Sequence, residues 1–88
     1  KIDLNSRELI SENNILKLTE KETNIIIYLS QSANPVSIEQ LQSDVWGYGS
    51  KLETHTVETH IYRLRKKISK KFNDNKFISS HKNGYQIN

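Results

Sequence analysis

Apolar positions change their spacing along this 88-residue chain, and each change marks an element. Ile2 and Leu4 alternate with polar residues. Leu9-Ile10 and Ile15-Leu16-Lys17-Leu18 are brief apolar runs separated by Ser11-Glu12-Asn13-Asn14. Runs of this length between polar turns predict a small antiparallel sheet, with a helix over residues 7–9 as the weaker competitor. Thr19-Glu20-Lys21-Glu22 has the form of a capping box, and Ile25, Ile26, Leu29 and Ala33 follow at helical spacing. Asn34-Pro35 should stop that helix, because the residue before proline avoids the α region. Ser37-Ile38-Glu39-Gln40 repeats the capping pattern. Ile38, Leu41, Val45 and Trp46 supply the stripe of a short second helix, ended by Gly47-Tyr48-Gly49-Ser50.

A third helix over residues 55–72, with Thr54 as its expected N-cap, has the clearest period. At about 100° per residue, Val57, Ile61, Leu64, Ile68 and Phe72 fall within about 80° of arc. Thr56, Thr59, Arg63, Lys66 and Lys70 take the opposite side. Asn73-Asp74-Asn75 should break the helix. Phe77-Ile78 and Tyr85-Gln86-Ile87 then flank Lys82-Asn83-Gly84, and an Asn-Gly pair between apolar segments favours a hairpin because both residues tolerate positive φ. The order is strands, three helices and a hairpin, an α+β arrangement in one small domain over residues 1–88.

Charge sharpens this picture. Residues 1–58 carry five Lys/Arg against nine Asp/Glu, and residues 59–88 carry eight against one, which together give the net charge of +3. The positive charge is gathered on the third helix, and no acid occurs from Thr59 to Asn73. Such a face fits a solvated helix kept basic for solubility, but mixed signs would serve that purpose equally well. The segregation points towards a polyanion. An α-helix fits the major groove, where arginine can pair with both guanine acceptors. Thr56, Thr59 and Arg63 lie in the half of the helix that usually meets bases, and Lys66, Lys67 and Lys70 suit phosphate.

Other chemistries find little footing. The chain has no cysteine, so disulfides and thiolate metal sites are excluded. His55 and His60 flank Glu58 but stand five residues apart, about 140° round a helix rather than on one face as a zinc motif requires. No glycine-rich phosphate loop, activated nucleophile or paired carboxylate suggests catalysis or a cofactor. No apolar run approaches the roughly 20 residues of a membrane span. The absence of methionine, even at position 1, predicts that the chain is part of something longer. Trp46 reads first as core packing, although its indole N–H could reach phosphate. The 47–53 connection is longer than a plain helix-turn-helix allows, which leaves a variant of it.

Four segments carry a family resemblance: Leu18-Thr19-Glu20-Lys21-Glu22, Val45-Trp46-Gly47, the run from Thr56 to Ile68 with its His60-Ile61-Tyr62-Arg63-Leu64-Arg65-Lys66-Lys67 core, and Gly84-Tyr85. They resemble, in order and over essentially the whole chain, the OmpR/PhoB-type winged-helix effector domain of bacterial two-component response regulators. The resemblance implies a winged helix-turn-helix with a four-stranded N-terminal sheet, three helices and a C-terminal hairpin wing over residues 77–87. It implies double-stranded DNA as partner, with the third helix in the major groove and the wing over the minor groove. Arg63 would address bases. Trp46, His60, Tyr62 and Arg65 would lie close to phosphate or support the helix, with Arg65, nearer the apolar stripe, partly structural. Loop 47–54 would meet RNA polymerase. A preceding receiver domain, a cytoplasmic location and a homodimer on tandem half-sites are implied in the same way. Three positions depart from the pattern: Tyr62 stands where arginine is frequent, Glu58 replaces a common aspartate, and His81-Lys82-Asn83-Gly84-Tyr85 replaces Arg-Gly-x-Gly-Tyr, so His81 stands in place of the minor-groove arginine and Lys82 keeps charge at the wing. The rival reading is a winged helix that docks on an acidic protein, which calls for an exposed apolar patch.

Overall fold

The computed structural model describes residues 2–3, 5–11, 14–47, 53–74 and 76–87. Three short strands open the chain: β1 (Ile2–Asp3), β2 (Glu8–Ser11) and β3 (Asn14–Lys17), paired antiparallel in the order β1-β2-β3. The described residues thus give three of the four strands that the resemblance implies. Leu9 faces Leu16 across the sheet and Ile10 faces Ile15. Side chains alternate between faces, so the first pair is buried while Ile15 points outward, 51% exposed.

α1 (Glu20–Ser30) starts where the sequence indicated. The Thr19 hydroxyl accepts from the Glu22 backbone N–H, and the Glu22 carboxylate accepts from the Thr19 N–H at 2.9 Å, closing a full capping box. Ile25, Ile26 and Leu29 are buried. Ala33 is not part of this face. The helix stops at Ser30, Gln31 caps it, and Ala33 lies exposed in the turn before Pro35.

The second helix is shorter and less regular than its stripe suggests. α2 (Ile38–Leu41) begins at Ser37, whose hydroxyl accepts from the Gln40 N–H. The reciprocal half of that capping box is missing, because the Gln40 side chain turns instead to Tyr28 Oη and Asp44. Residues Gln42–Trp46 continue as a single π-helical turn, closed by the Gly47 N–H on the Gln42 carbonyl. The wider turn leaves Val45 and Trp46 half-buried.

α3 (Thr54–Phe72) is the longest element. Its N-cap is Glu53, in extended conformation and without a side-chain cap bond, and Thr54 is already helical. Val57, Ile61, Leu64 and Ile68 are at most 2% exposed and fill the centre of the molecule, with Leu41 and Leu29 facing them in the same core. Burying a side chain of this size is worth about 1.5–3 kcal/mol, so the stripe alone holds the helix down. Asn73 ends it in the left-handed region at φ 54°.

β4 (Ile78–His81) and β5 (Gly84–Ile87) form the hairpin, with Lys82 and Asn83 between them. Its turn differs from the expected Asn-Gly type. Asn83 is not among the positive-φ residues, and Gly84 alone takes up the positive φ, at 140°. The reason lies outside the hairpin. Val36 and Tyr85 exchange both backbone hydrogen bonds, at 2.8 and 2.9 Å, so Val36 adds a one-residue strand to β5. A Cβ on Gly84 would stand 2.1 Å from the Val36 carbonyl oxygen. The Gln86 side chain also donates to the Ala33 carbonyl. The hairpin is therefore fastened to the α1–α2 connection rather than standing free.

Candidate nucleic-acid interface

The core fixes which way α3 faces. With its aliphatic stripe sealed, the rest of the circumference carries Thr56, Thr59, Tyr62, Arg63, Lys66 and Lys70. Tyr62, Arg63, Lys66 and Lys70 are exposed, and Thr56 and Thr59 are half-buried. Arg63 and Lys70 make no ion pair among the described residues, so their charges are open to a ligand. Lys66 Nζ lies 5.8 Å from the centre of the Tyr62 ring, a cation–π approach that gathers the two on one patch. The Thr59 hydroxyl donates back to the His55 carbonyl at 3.0 Å, which leaves its lone pairs free to accept.

Three expected contact residues are engaged elsewhere. Lys67 Nζ meets Glu22 Oε1 at 2.9 Å, so its ammonium is paired with α1 rather than free. Trp46 and His60 meet each other: their ring centres are 5.3 Å apart in an edge-on arrangement, and both are half-buried. Lys21 Nζ completes this group, 5.9 Å from the Trp46 ring and 3.4 Å from the Val45 carbonyl oxygen. On the hairpin, His81 and Lys82 are exposed at the tip. His81 Nε2 lies 3.0 Å from Ser79 Oγ, and Lys82 makes no ion pair among the described residues.

A shallow groove runs between α3 and the hairpin, lined by His55, Glu58, Thr59, Tyr62, Arg65 and Tyr85, with Ile61 at its floor, so one carboxylate stands among its cationic and polar groups. The sequence reading missed His55 in this position, having weighed it only as a metal ligand. The signal was present: His55, Thr59, Tyr62 and Lys66 recur at spacings of three and four, one face of a helix. Among the described residues no three His, Cys, Asp or Glu side chains gather as a metal site. No described helix is long and apolar enough to cross a membrane. Loop residues 48–52, on which most of the expected RNA polymerase surface falls, lie outside the described residues.

Residues 12–87 match the family described as "Transcriptional regulatory protein, C terminal". The chain belongs to this family of OmpR/PhoB-type effector domains. A relative, Transcriptional regulatory protein SrrA of Staphylococcus aureus, is 37% identical over 70 residues, covering 78% of this chain and 29% of SrrA. The chain thus spans less than a third of that relative's length. Among solved structures, the DNA-binding domain of response regulator AdeR in complex with an intercistronic region superposes over the whole chain and 92% of that one, with a TM-score of 0.81 and 25% identity. The DNA-binding domain of Bacillus subtilis CssR does so over the whole chain and 98% of that one, with a TM-score of 0.80 and 25% identity. For an effector domain of this family, α3 is the recognition helix and the β4–β5 hairpin is the wing.

Proposed function

We propose that this effector domain reads specific double-stranded DNA sequences with α3 in the major groove and the wing beside the minor groove. DNA binding by a transcriptional effector domain comes with family membership; the residue assignments are our own reading. One observation carries them: Arg63 is exposed and makes no ion pair among the described residues, on a helix whose opposite side is sealed in the core, with Lys66 and Lys70 on the same face. Arg63 reads base edges, with Thr56, Thr59 and His55 beside it. Lys66, Lys70 and the wing's Lys82 neutralise phosphate, and Tyr62 lies against the backbone in the groove between helix and wing. The AdeR DNA-binding domain, alike in fold over the whole chain and solved in complex with an intercistronic region, supports DNA binding by this fold.

The short coverage of SrrA and the family's description as a C-terminal unit support reading the domain as the C-terminal part of a longer response regulator, which we place in the cytoplasm by analogy. On the same analogy, loop 47–54 meets RNA polymerase and two copies occupy tandem half-sites. The rival, docking on an acidic protein, gains little support from α3, where Tyr62 is the exposed large apolar residue; the other among the described residues, Ile15, lies on the sheet. Selection of bound duplexes from a random pool tests the proposal. Enrichment of a defined motif, arranged as a direct repeat, is the expected result. Binding that depends on salt but enriches no sequence would overturn it.

A further inference from the structure

We propose that Lys67 is a positioning residue: through its ion pair with Glu22 it refines the rotation of α3 that the core sets, and with it the direction of Arg63. This rests on the DNA-binding reading above. Glu22 Oε1 accepts from both the Thr19 N–H and Lys67 Nζ, each at 2.9 Å, and the Glu22 side chain is only 12% exposed. The carboxylate is thus fixed by the start of α1 before the lysine reaches it. The apolar stripe sets which side of α3 faces inward, and the ion pair adds a fixed point on its flank. Val57, Ile61, Leu64 and Ile68 seat the helix by close packing, which depends on no one direction of contact. A charge-assisted hydrogen bond is directional.

Lys67 follows Arg63 by four residues, about 40° further round the helix. When Lys67 is drawn to α1, Arg63 is held outward beside it. A second fastening lies on the same flank two turns earlier, where His60 meets Trp46 edge-on. Lys21, the neighbour of Glu22, reaches both the Trp46 ring and the Val45 carbonyl. The first turn of α1 therefore grips the recognition helix directly through Glu22, and through Lys21 it supports the ring on which His60 rests.

Lys67→Met and Glu22→Gln test this in the 88-residue chain, with Lys67→Arg as the conservative control. Each is titrated at several salt concentrations with a duplex selected from the random pool by the unaltered chain and with a random duplex of equal length; thermal melting is followed in parallel. Both variants should lower the ratio of selected to random affinity about tenfold, the scale of one charged hydrogen bond, with the salt slope unchanged, and Lys67→Arg should keep the ratio. A plain phosphate contact predicts otherwise. Lys67→Met would then weaken both duplexes alike and lower the salt slope by about one, and Glu22→Gln, by releasing a cation, would strengthen both alike. Either pattern with the ratio intact overturns the proposal. If one variant melts below the assay temperature, the other decides. An unaltered chain that does not discriminate overturns the DNA reading and this inference together; unchanged ratios in the variants overturn this inference alone.

Discussion

Arg63 and Lys67 stand one helical turn apart, yet their charges have different destinations. Arg63 has no acidic neighbour among the described residues, so a base edge is its best partner. Arg63→Ala should cost about 1–3 kcal/mol on the selected duplex and relax preference at one base pair. Competition titrations, with the pool selection repeated on the variant, measure both effects. An unchanged ratio of selected to random binding would remove Arg63 from base readout. Lys67 could not have been separated from its neighbours by sequence alone. Glu22 was already accounted for by the capping box, and nothing local announces that the same carboxylate oxygen also receives a lysine 45 residues away. His55 escaped for a different reason: its proximity to Glu58 and His60 drew attention to metal chemistry, whereas its helical phase tied it to Tyr62 and Lys66.

Among the elements, α3 was the most legible, because its period and its burial coincide. Val57, Ile61, Leu64 and Ile68 are in the core, and Phe72, the last of the stripe, is half-buried against it. The second helix was less so. Val45 and Trp46 fitted a regular stripe, but the π turn over Gln42–Trp46 shifts their phase, and no residue in that segment marks the change. Ala33 fitted the period of α1 but fell past its end, since small apolar residues occur in turns as readily as in helices. The wing was placed correctly and explained incorrectly. Its glycine is required by Val36, a residue remote in sequence, rather than by the hairpin's own turn. Gly84→Ala should therefore destabilise the domain by about 2–4 kcal/mol, combining a strained positive φ with a clash against backbone. Urea unfolding followed by circular dichroism measures this, and a loss below about 0.5 kcal/mol, the range of neutral surface changes, would show that the Val36 bridge yields easily.

At the scale of the whole molecule, the fold turns an uneven charge sequence into an uneven surface. The acids of the first part are largely set to internal duties: Glu22 caps α1, Glu8 pairs with Lys17 at 3.8 Å and Glu20 with Arg7 at 3.6 Å. The Glu20–Arg7 pair is exposed and the Glu8–Lys17 pair is long with its lysine in solvent, so both contribute little to stability. Among the described residues they match the cations of β3 and the first turn, and most of the cations that make no ion pair lie on α3 and the wing. Association with any duplex should then weaken steeply with salt. Lys66→Ala and Lys70→Ala should each lower the slope of log affinity against log salt by about one, and weaken selected and random sequences to the same degree. Filter binding across a salt series decides this; an altered sequence preference in either variant would make that lysine a base reader.

The double hydrogen bond between Val36 and Tyr85 has a geometric consequence. It presets the gap between the wing and α3, so the domain arrives at a duplex like a gauge with its jaws already locked. The wing itself has little ordering left to do on contact, and groove dimensions that do not match the gap must be accommodated by bending or twisting of the duplex itself. Sequences that deform easily at that spot are then favoured even where no side chain touches a base.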